Sequence, residues 1–388
     1  MCILVSYIML SIKKAKDLKG KRVIVRVDFN VPMKNGKALH GGQVADDFRI
    51  KAALPTIAFL KKNKAKVILI AHIGDDGKES LAPVAAYIKR KKLFPMTFVS
   101  DVVGEKAKQV VASMKNGEII LLENLRKEAG EKKNDQLFTV ALSSFGDLYV
   151  NDAFSVSHRE HASFVGIPKL LPSYAGISLE KEIQELSKAF SPKHPFFFIL
   201  GGAKFSTKMP LVSAFTNKAD IIFLGGTLQN TIIKALGYQT GKSVVDPIDE
   251  NVQAVLKSDV VVHAIDFVVT VGDEKKVVTY DAISKKDMIV DIGPETTKRL
   301  ISMLSKAKFV VMNGPLGLYE KGFVDSTKKI LIALSKQKNT KVIIGGGDIV
   351  SLVEKFKLTD SFTHVSTGGG ATLDFLAHGT LPGIEALG

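Results

Sequence analysis

The sequence predicts an α/β protein made of two doubly wound parallel-sheet lobes joined by a helix. Three observations predict it. Short, β-rich apolar runs alternate with longer amphipathic stretches along the chain, as strands alternate with crossover helices in parallel sheets. Several of the runs are apolar throughout, which suits strands covered on both faces. Near the middle, a charged helical stretch, Leu179–Phe190, runs into Ser191-Pro192-Lys193-His194-Pro195, a break with two prolines that marks the start of a second lobe. With 388 residues, 46% of them hydrophobic, the chain is long enough for two cores.

The strands are expected at Val23–Val27, Val67–Ala71, Ile119–Leu122, Leu148–Val150, Phe196–Leu200, Ile221–Leu224, Val260–Val262, Phe309–Met312 and Val342–Ile344. Between them, 3.6-residue periodicity predicts helices over Asp47–Lys62, Leu81–Lys91, Asp135–Ser143, Glu180–Ala189 and Ser326–Ser335. The opening MCILVSYIML is apolar but shorter than the roughly 20 residues a bilayer span needs. It lacks the basic lead and small-residue cleavage site of a signal peptide, so it reads as an extension before the first strand. Cys2 is the single cysteine, so no disulfide forms within the chain, which fits a reducing, cytoplasmic setting.

Lys plus Arg exceed Asp plus Glu by 54 to 39, a formal charge of +15, and such a field attracts anions. Lysine clusters at Lys61-Lys62-Asn63-Lys64 and Lys89-Arg90-Lys91-Lys92 fall at helix ends, where positive charge suits the dipole. No finger, basic zipper or aromatic RNA-binding motif is present, so no nucleic acid is expected as partner, and no membrane.

Ligands of open α/β sheets bind beyond the carboxyl ends of the strands. In the first half those ends read Asp28-Phe29-Asn30, His72-Ile73-Gly74, Glu123-Asn124-Leu125-Arg126 and Asn151-Asp152-Ala153-Phe154, followed by His158-Arg159-Glu160-His161, with Arg49 early in the first long helix. Arginine forks suit phosphate and carboxylate, and an anion would favour the charged form of a nearby histidine. Any one of these residues alone would cap a helix or close a turn; four neighbouring strand ends of one character point to an anion pocket. In the second half the strand ends are Gly201-Gly202-Ala203-Lys204, Gly225-Gly226-Thr227, Asn313-Gly314-Pro315 and Gly345-Gly346-Gly347-Asp348, and Gly368-Gly369-Gly370 precedes a helical segment. Glycines admit a nucleotide close to backbone, and amides at a helix start hold phosphate oxygens. Lys204 and Lys208 supply point charges, and Asp348 suits Mg²⁺. Gly237–Ser243 is one residue short of a P-loop, and no triple glycine continues as G-x-G-x-x-G, so dinucleotide and protein-kinase loops are not supported.

Taken in order, Arg26–Pro32, Asp46–Ile50, Leu122–Arg126, Asn151–Phe154 with His158-Arg159, Gly201–Lys204, Asp291–Pro294, Asn313–Pro315, Gly345–Asp348 and Ser366–Gly370 resemble the motif series of phosphoglycerate kinase, from about Leu18 to Leu387. The resemblance implies an N-terminal 3-phosphoglycerate-binding lobe over residues 1–178 and a C-terminal Mg-nucleotide lobe over residues 179–375 that begins with a hinge helix. The C-terminal tail, residues 376–388, returns to the N-terminal lobe. It implies a phosphotransferase of glycolysis, active as a monomer, that moves a phosphoryl group between 1,3-bisphosphoglycerate and ADP by closing its lobes. Asp28, Phe29, Asn30, Arg49, His72, Ile73, Gly74, Asp75, Arg126 and Arg159 would bind 3-phosphoglycerate. Lys204, Lys208, Gly225, Gly293, Asn313, Pro315, Glu320, Gly346, Gly347, Asp348 and Ile349 would bind ADP or ATP, with Asp348 at Mg²⁺. Arg49, Lys204, Gly369 and Gly370 would act on the transferring group. Three residues depart from the family pattern: Asp75 stands where a phosphate-binding arginine belongs, Thr227 for a third glycine, and Ile349 for a threonine.

Overall fold

The apolar runs become central strands because only strands buried on both faces tolerate unbroken Val, Ile and Leu. The structure, a computed structural model, describes residues 9–34, 42–202, 205 and 208–388. The chain divides into two units, Met1–Gln184 with His378–Gly388, and Glu185–Ala377. The division falls inside the helix Ile177–Ser187.

The first unit holds a wholly parallel sheet of β1 (Arg22–Arg26), β2 (Lys66–Ile70), β3 (Thr97–Val99), β4 (Ile119–Leu122), β5 (Leu148–Asn151) and β6 (Ser173–Ala175), in the order β3-β4-β2-β1-β5-β6. The register pairs Val23 with Val67 and with Leu148. The strand order reverses between β1 and β5, and a crevice opens beyond the carboxyl ends at such a point. The tail completes this unit: Asn151 Nδ2 donates to Gly383 O at 3.0 Å, and the Gly383 amide donates to Ser157 O at 2.8 Å.

The second unit has its own parallel sheet, formed by β7 (Phe196–Leu200), β8 (Ile221–Leu224), β9 (Val261–Val262), β13 (Phe309–Asn313), β14 (Lys341–Gly345) and β15 (His364–Val365). Their order is β9-β8-β7-β13-β14-β15, which reverses between β7 and β13. A separate antiparallel sheet, order β11-β10-β12, comprises β10 (Asp266–Val271), β11 (Glu274–Thr279) and β12 (Met288–Ile292).

The helix expected over Asp47–Lys62 is two helices, Phe48–Ala52 and Leu54–Lys62. Pro55 is the cause: it has no N–H, and in a continuous helix its ring would strike the carbonyl four residues back. Arg49 therefore sits on a short turn of its own. The antiparallel sheet was not expected, because β11 reads Glu-Lys-Lys-Val-Val-Thr and is mostly exposed.

Candidate functional site

In the first unit the site grows from one anomaly, a cation at the end of an apolar strand. Arg26 closes β1 and is 1% exposed. Its Nε donates to Ser163 Oγ at 3.0 Å, Nη1 to Val27 O at 2.6 Å and Nη2 to His72 Nδ1 at 2.9 Å, while the guanidinium stacks 4.6 Å over the Phe164 ring. Buried Glu131 balances the charge through Ser163, whose Oγ and backbone N donate to it at 2.6 and 3.0 Å. Arginine has no acceptor, so His72 Nδ1 must accept and the ring proton resides on Nε2. Burial first, then the charges of Arg26, Arg126, Arg49 and His161, hold His72 well below the usual histidine range. His72 is thus a neutral N–H donor in the ligand-free protein, with Arg26 occupying its Nδ1. Burial, Arg126, Arg26, Arg159 and Lys132 likewise draw His161 down to about 4.

Beyond β1, Asp28 ties the strand ends together. Its Oδ1 accepts from the Asn30 amide at 3.0 Å; its Oδ2 meets Arg49 Nη1 at 3.0 Å and the Ser155 hydroxyl. Arg49 Nη1 also donates to Asn30 O at 2.9 Å, and Asn30 Oδ1 accepts from the Gly74 amide at 3.0 Å. Fully buried Asn124 holds the next loop, accepting from the amides of Ile73 and Arg126 at 3.3 and 3.1 Å and donating to the carbonyls of Ile73 and Glu79 at 2.8 and 2.9 Å. Arg126 Nη1 reaches Gly74 O and, at 2.6 Å, Asp75 Oδ1, while its buried Nε has no partner. The result is a basin of positive potential: Arg26, Arg126 and Arg49 all bear on the buried His72 ring, and exposed Arg159 adds to the field at His161. The side chains of Phe29 and Ile73 turn into the core, so these two offer only backbone to the basin.

Asp152, at the end of β5, accepts at Oδ1 from the amides of Ser178 and Leu179 at 2.9 and 3.1 Å, so it caps the helix Ile177–Ser187. Burial pushes this carboxyl up to about 7, against the lowering effect of the Thr56 hydroxyl and the two amides.

In the second unit the chemistry begins with backbone proximity. A Cβ on Gly201 would lie 1.9 Å from Pro315 O, and one on Gly226, whose φ is +62°, would lie 2.8 Å from Gly202 O. Only glycine allows these three strand ends to touch. Beside them opens a cleft lined by Gly202, Gly226, Thr227, the apolar Phe267, Val290 and Leu316, Pro315, Tyr319, Glu320 and Asp348, among others. Helices Thr227–Ala235 and Gly347–Lys355 start directly after glycine strand ends, and Gly370–His378 follows Gly368-Gly369; their first-turn amides have no partner within the helix.

Two charged groups belong to this region. Lys208 Nζ donates to Asn313 Oδ1 at 3.0 Å, and burial draws it down to about 8 although Asp348 pulls the other way. Asp348 is exposed in the first turn of its helix, and its Oδ1 accepts from the Tyr319 hydroxyl at 2.6 Å. That bond pushes the Tyr319 phenol up to about 12.

Other predicted positions sit close by but not in the cleft wall. Gly225 packs on Leu316, Gly293 closes on Asp266, and Gly346 packs against Asn313. Ile349 is fully buried and does not line the cleft, whereas Thr227 does. Gly347, Gly369 and Gly370 have open space where a Cβ would stand. Lys204 lies outside the described residues. Arg26, Glu131, Ser155 and Tyr319 were missed by sequence reasoning.

Among the described residues no group of three His, Cys, Asp or Glu is placed to hold a metal ion. A single exposed carboxylate at a cleft edge does fit Mg²⁺ that keeps most of its oxygen ligands from phosphate and water.

A family model described as "Phosphoglycerate kinase" matches residues 12–379. The curated phosphoglycerate kinase of Dictyoglomus turgidum is 41% identical and that of Pseudothermotoga lettingae 44% identical, each match covering 96% of both chains. Among solved structures, phosphoglycerate kinase from Coxiella burnetii aligns with a TM-score of 0.83 at 34% identity, and that from Pyrococcus horikoshii with 0.86 at 30%; both cover 98% of each chain.

Proposed function

Because the chain belongs to the phosphoglycerate kinase family, we propose that the arginine basin of its first unit holds 3-phosphoglycerate and that the glycine-walled cleft of its second holds the nucleotide. The reaction itself is that of the family: reversible phosphoryl transfer from 1,3-bisphosphoglycerate to ADP, giving 3-phosphoglycerate and ATP.

In this reading Arg49, Arg126 and Arg159 supply forks to the carboxylate and phosphate of the acid, and the neutral His72 adds its Nε2–H. Asp28 and Asn30 orient Arg49 and the Gly74 loop. Pro315 and Glu320 border the nucleoside, Lys204 and Lys208 meet the phosphates, and the amides of Gly369 and Gly370 face the moving group. Phosphoryl transfer needs alignment and charge stabilisation more than covalent chemistry, and these residues provide both. Asp348 would hold Mg²⁺, which supplies neutralising charge to the nucleotide phosphates. Asp348 is itself steadied by Tyr319. The lone cysteine suits a reducing cytoplasm, and among the described residues no helix is long and apolar enough to cross a membrane.

The observation that carries the reading is the close approach of Gly201 to Pro315 and of Gly226 to Gly202 beside a cleft bordered by Asp348, with Lys208 packed next to Gly202. Steady-state turnover with 3-phosphoglycerate and MgATP tests it. Lys204→Ala should cut kcat by about 10²–10³ with modest loss of nucleotide affinity; unchanged turnover would remove Lys204 from the mechanism.

A further inference from the structure

The helix Thr227–Ala235 begins at the nucleotide cleft, and its buried face is mixed. Leu228, Ile232 and Ile233 are ordinary core residues. Gln229 is not: it is 1% exposed, and neither its Oε1 nor its Nε2 has a hydrogen-bond partner. Its neighbour Asn230 uses Nδ2 on Val244 O at 3.1 Å and leaves Oδ1 unpartnered. Both residues line the cleft, among Val244, Phe267, Met288 and Val290, whose side chains have nothing to offer an amide. Buried side-chain amides in folded proteins are almost always paired. One that stands unpaired at the wall of a cleft is complementary to something that enters the cleft.

A carboxamide displays one donor beside one acceptor. Phosphate offers acceptors only. The edge of adenine offers a donor, the 6-amino group, next to a ring-nitrogen acceptor, and glutamine pairs with that edge through two parallel hydrogen bonds. We infer that Gln229 reads the base of the nucleotide and is a specificity-determining residue for adenine. The inference rests on the cleft being the nucleotide site. A base lacking the 6-amino group leaves Gln229 Oε1 buried and unpaired, and sites built on a ligand hydrogen bond reject analogues that cannot make it.

Calorimetric titration with ADP and with purine riboside 5′-diphosphate, which lacks the 6-amino group, tests this on the full chain and on Gln229→Met. Methionine keeps the length of the side chain and removes both polar atoms. The wild-type protein should prefer ADP by about tenfold or more; Gln229→Met should lose that preference by weakening ADP more than the analogue. Without nucleotide, Gln229→Met should melt at or above the wild-type temperature, because an unpaired buried amide is removed. An unchanged ADP-to-analogue ratio overturns the inference. So does a lower melting temperature, which would mean the amide already has a partner within the protein. Binding of both nucleotides with no preference in the wild type overturns the role of Gln229 and leaves the nucleotide site standing. Failure of the wild type to bind either one would overturn the site and the inference together.

Discussion

Arg126 Nη1 and Asp75 Oδ1 lie 2.6 Å apart, with the arginine side chain 8% exposed and the aspartate side chain 98% exposed. A pair with one partner fully in water contributes about 0–1 kcal/mol to stability, so Asp75 does little for the fold. Its effect is on the basin, where it occupies an arginine fork that an incoming anion would use.

Asp75→Asn should therefore lower KM for 3-phosphoglycerate by about three- to tenfold with kcat little changed, the equivalent of roughly 1 kcal/mol of relieved competition. Initial rates at saturating MgATP check it, and a KM equal to wild type would show that Arg126 is not a substrate ligand.

His72 should not titrate across the physiological range. Arg26 occupies its Nδ1, and burial holds its pKa well below the ordinary value. Nitrogen-edited NMR of the imidazole at pH 6 should report the neutral form with the proton on Nε2. The stability consequence has a definite sign. In the unfolded chain His72 and His161 take up protons near pH 6.5, whereas folded His161 does so only near 4. The unfolded state thus binds more protons below 6.5, and the contribution of both rings to stability shrinks as pH falls from about 6.5 towards 4. His161→Gln should show a shallower loss of stability over that window by urea denaturation.

Asp152 has the opposite sign. Its carboxyl is raised to about 7 by burial, so between its unfolded value near 4 and about 7 the folded state holds the extra proton, and stability declines as pH rises through that window. Asp152→Asn keeps an oxygen for the amides of Ser178 and Leu179 and removes the ionisation. Relative to wild type it should gain about 1–3 kcal/mol on going from pH 5 to pH 8. Parallel urea curves for the two proteins at both pH values would refute this.

Lys208 is drawn down to about 8 by burial, so its charge is lost above that pH in the free enzyme. ADP affinity should fall about three- to tenfold between pH 7.5 and pH 9. Lys208→Arg, which stays charged, should flatten that decline even if its absolute affinity is poorer.

How much of this was legible beforehand depended on burial. Ile119–Leu122, Phe196–Leu200 and Ile221–Leu224 coincide with their observed strands, because strands covered on both faces carry an unbroken apolar signal. Thr97–Val99, Ser173–Ala175 and His364–Val365 are short edge or near-edge strands with no such signal, and Glu274–Thr279 faces water and reads as loop. In the site, residues just past strand ends could be picked out because topology puts ligands there. The residues that set their states could not. Arg26 acts through His72 from the last position of a strand, Tyr319 acts through Asp348, and Gln229 belongs to no motif; each becomes visible only when its hydrogen bonds, or the lack of them, can be read.

The bond from Asn151 to the Gly383 carbonyl joins two segments of the first unit that flank the second in sequence, with the whole second unit inserted between. During synthesis the ribosome delivers the sheet of the first unit early and its last buttress only after residues 185–377 have emerged. Nascent chains halted before residue 378 should leave β5 with an unfilled face and be nicked by protease in the first unit, while the second unit, contiguous in sequence, already resists.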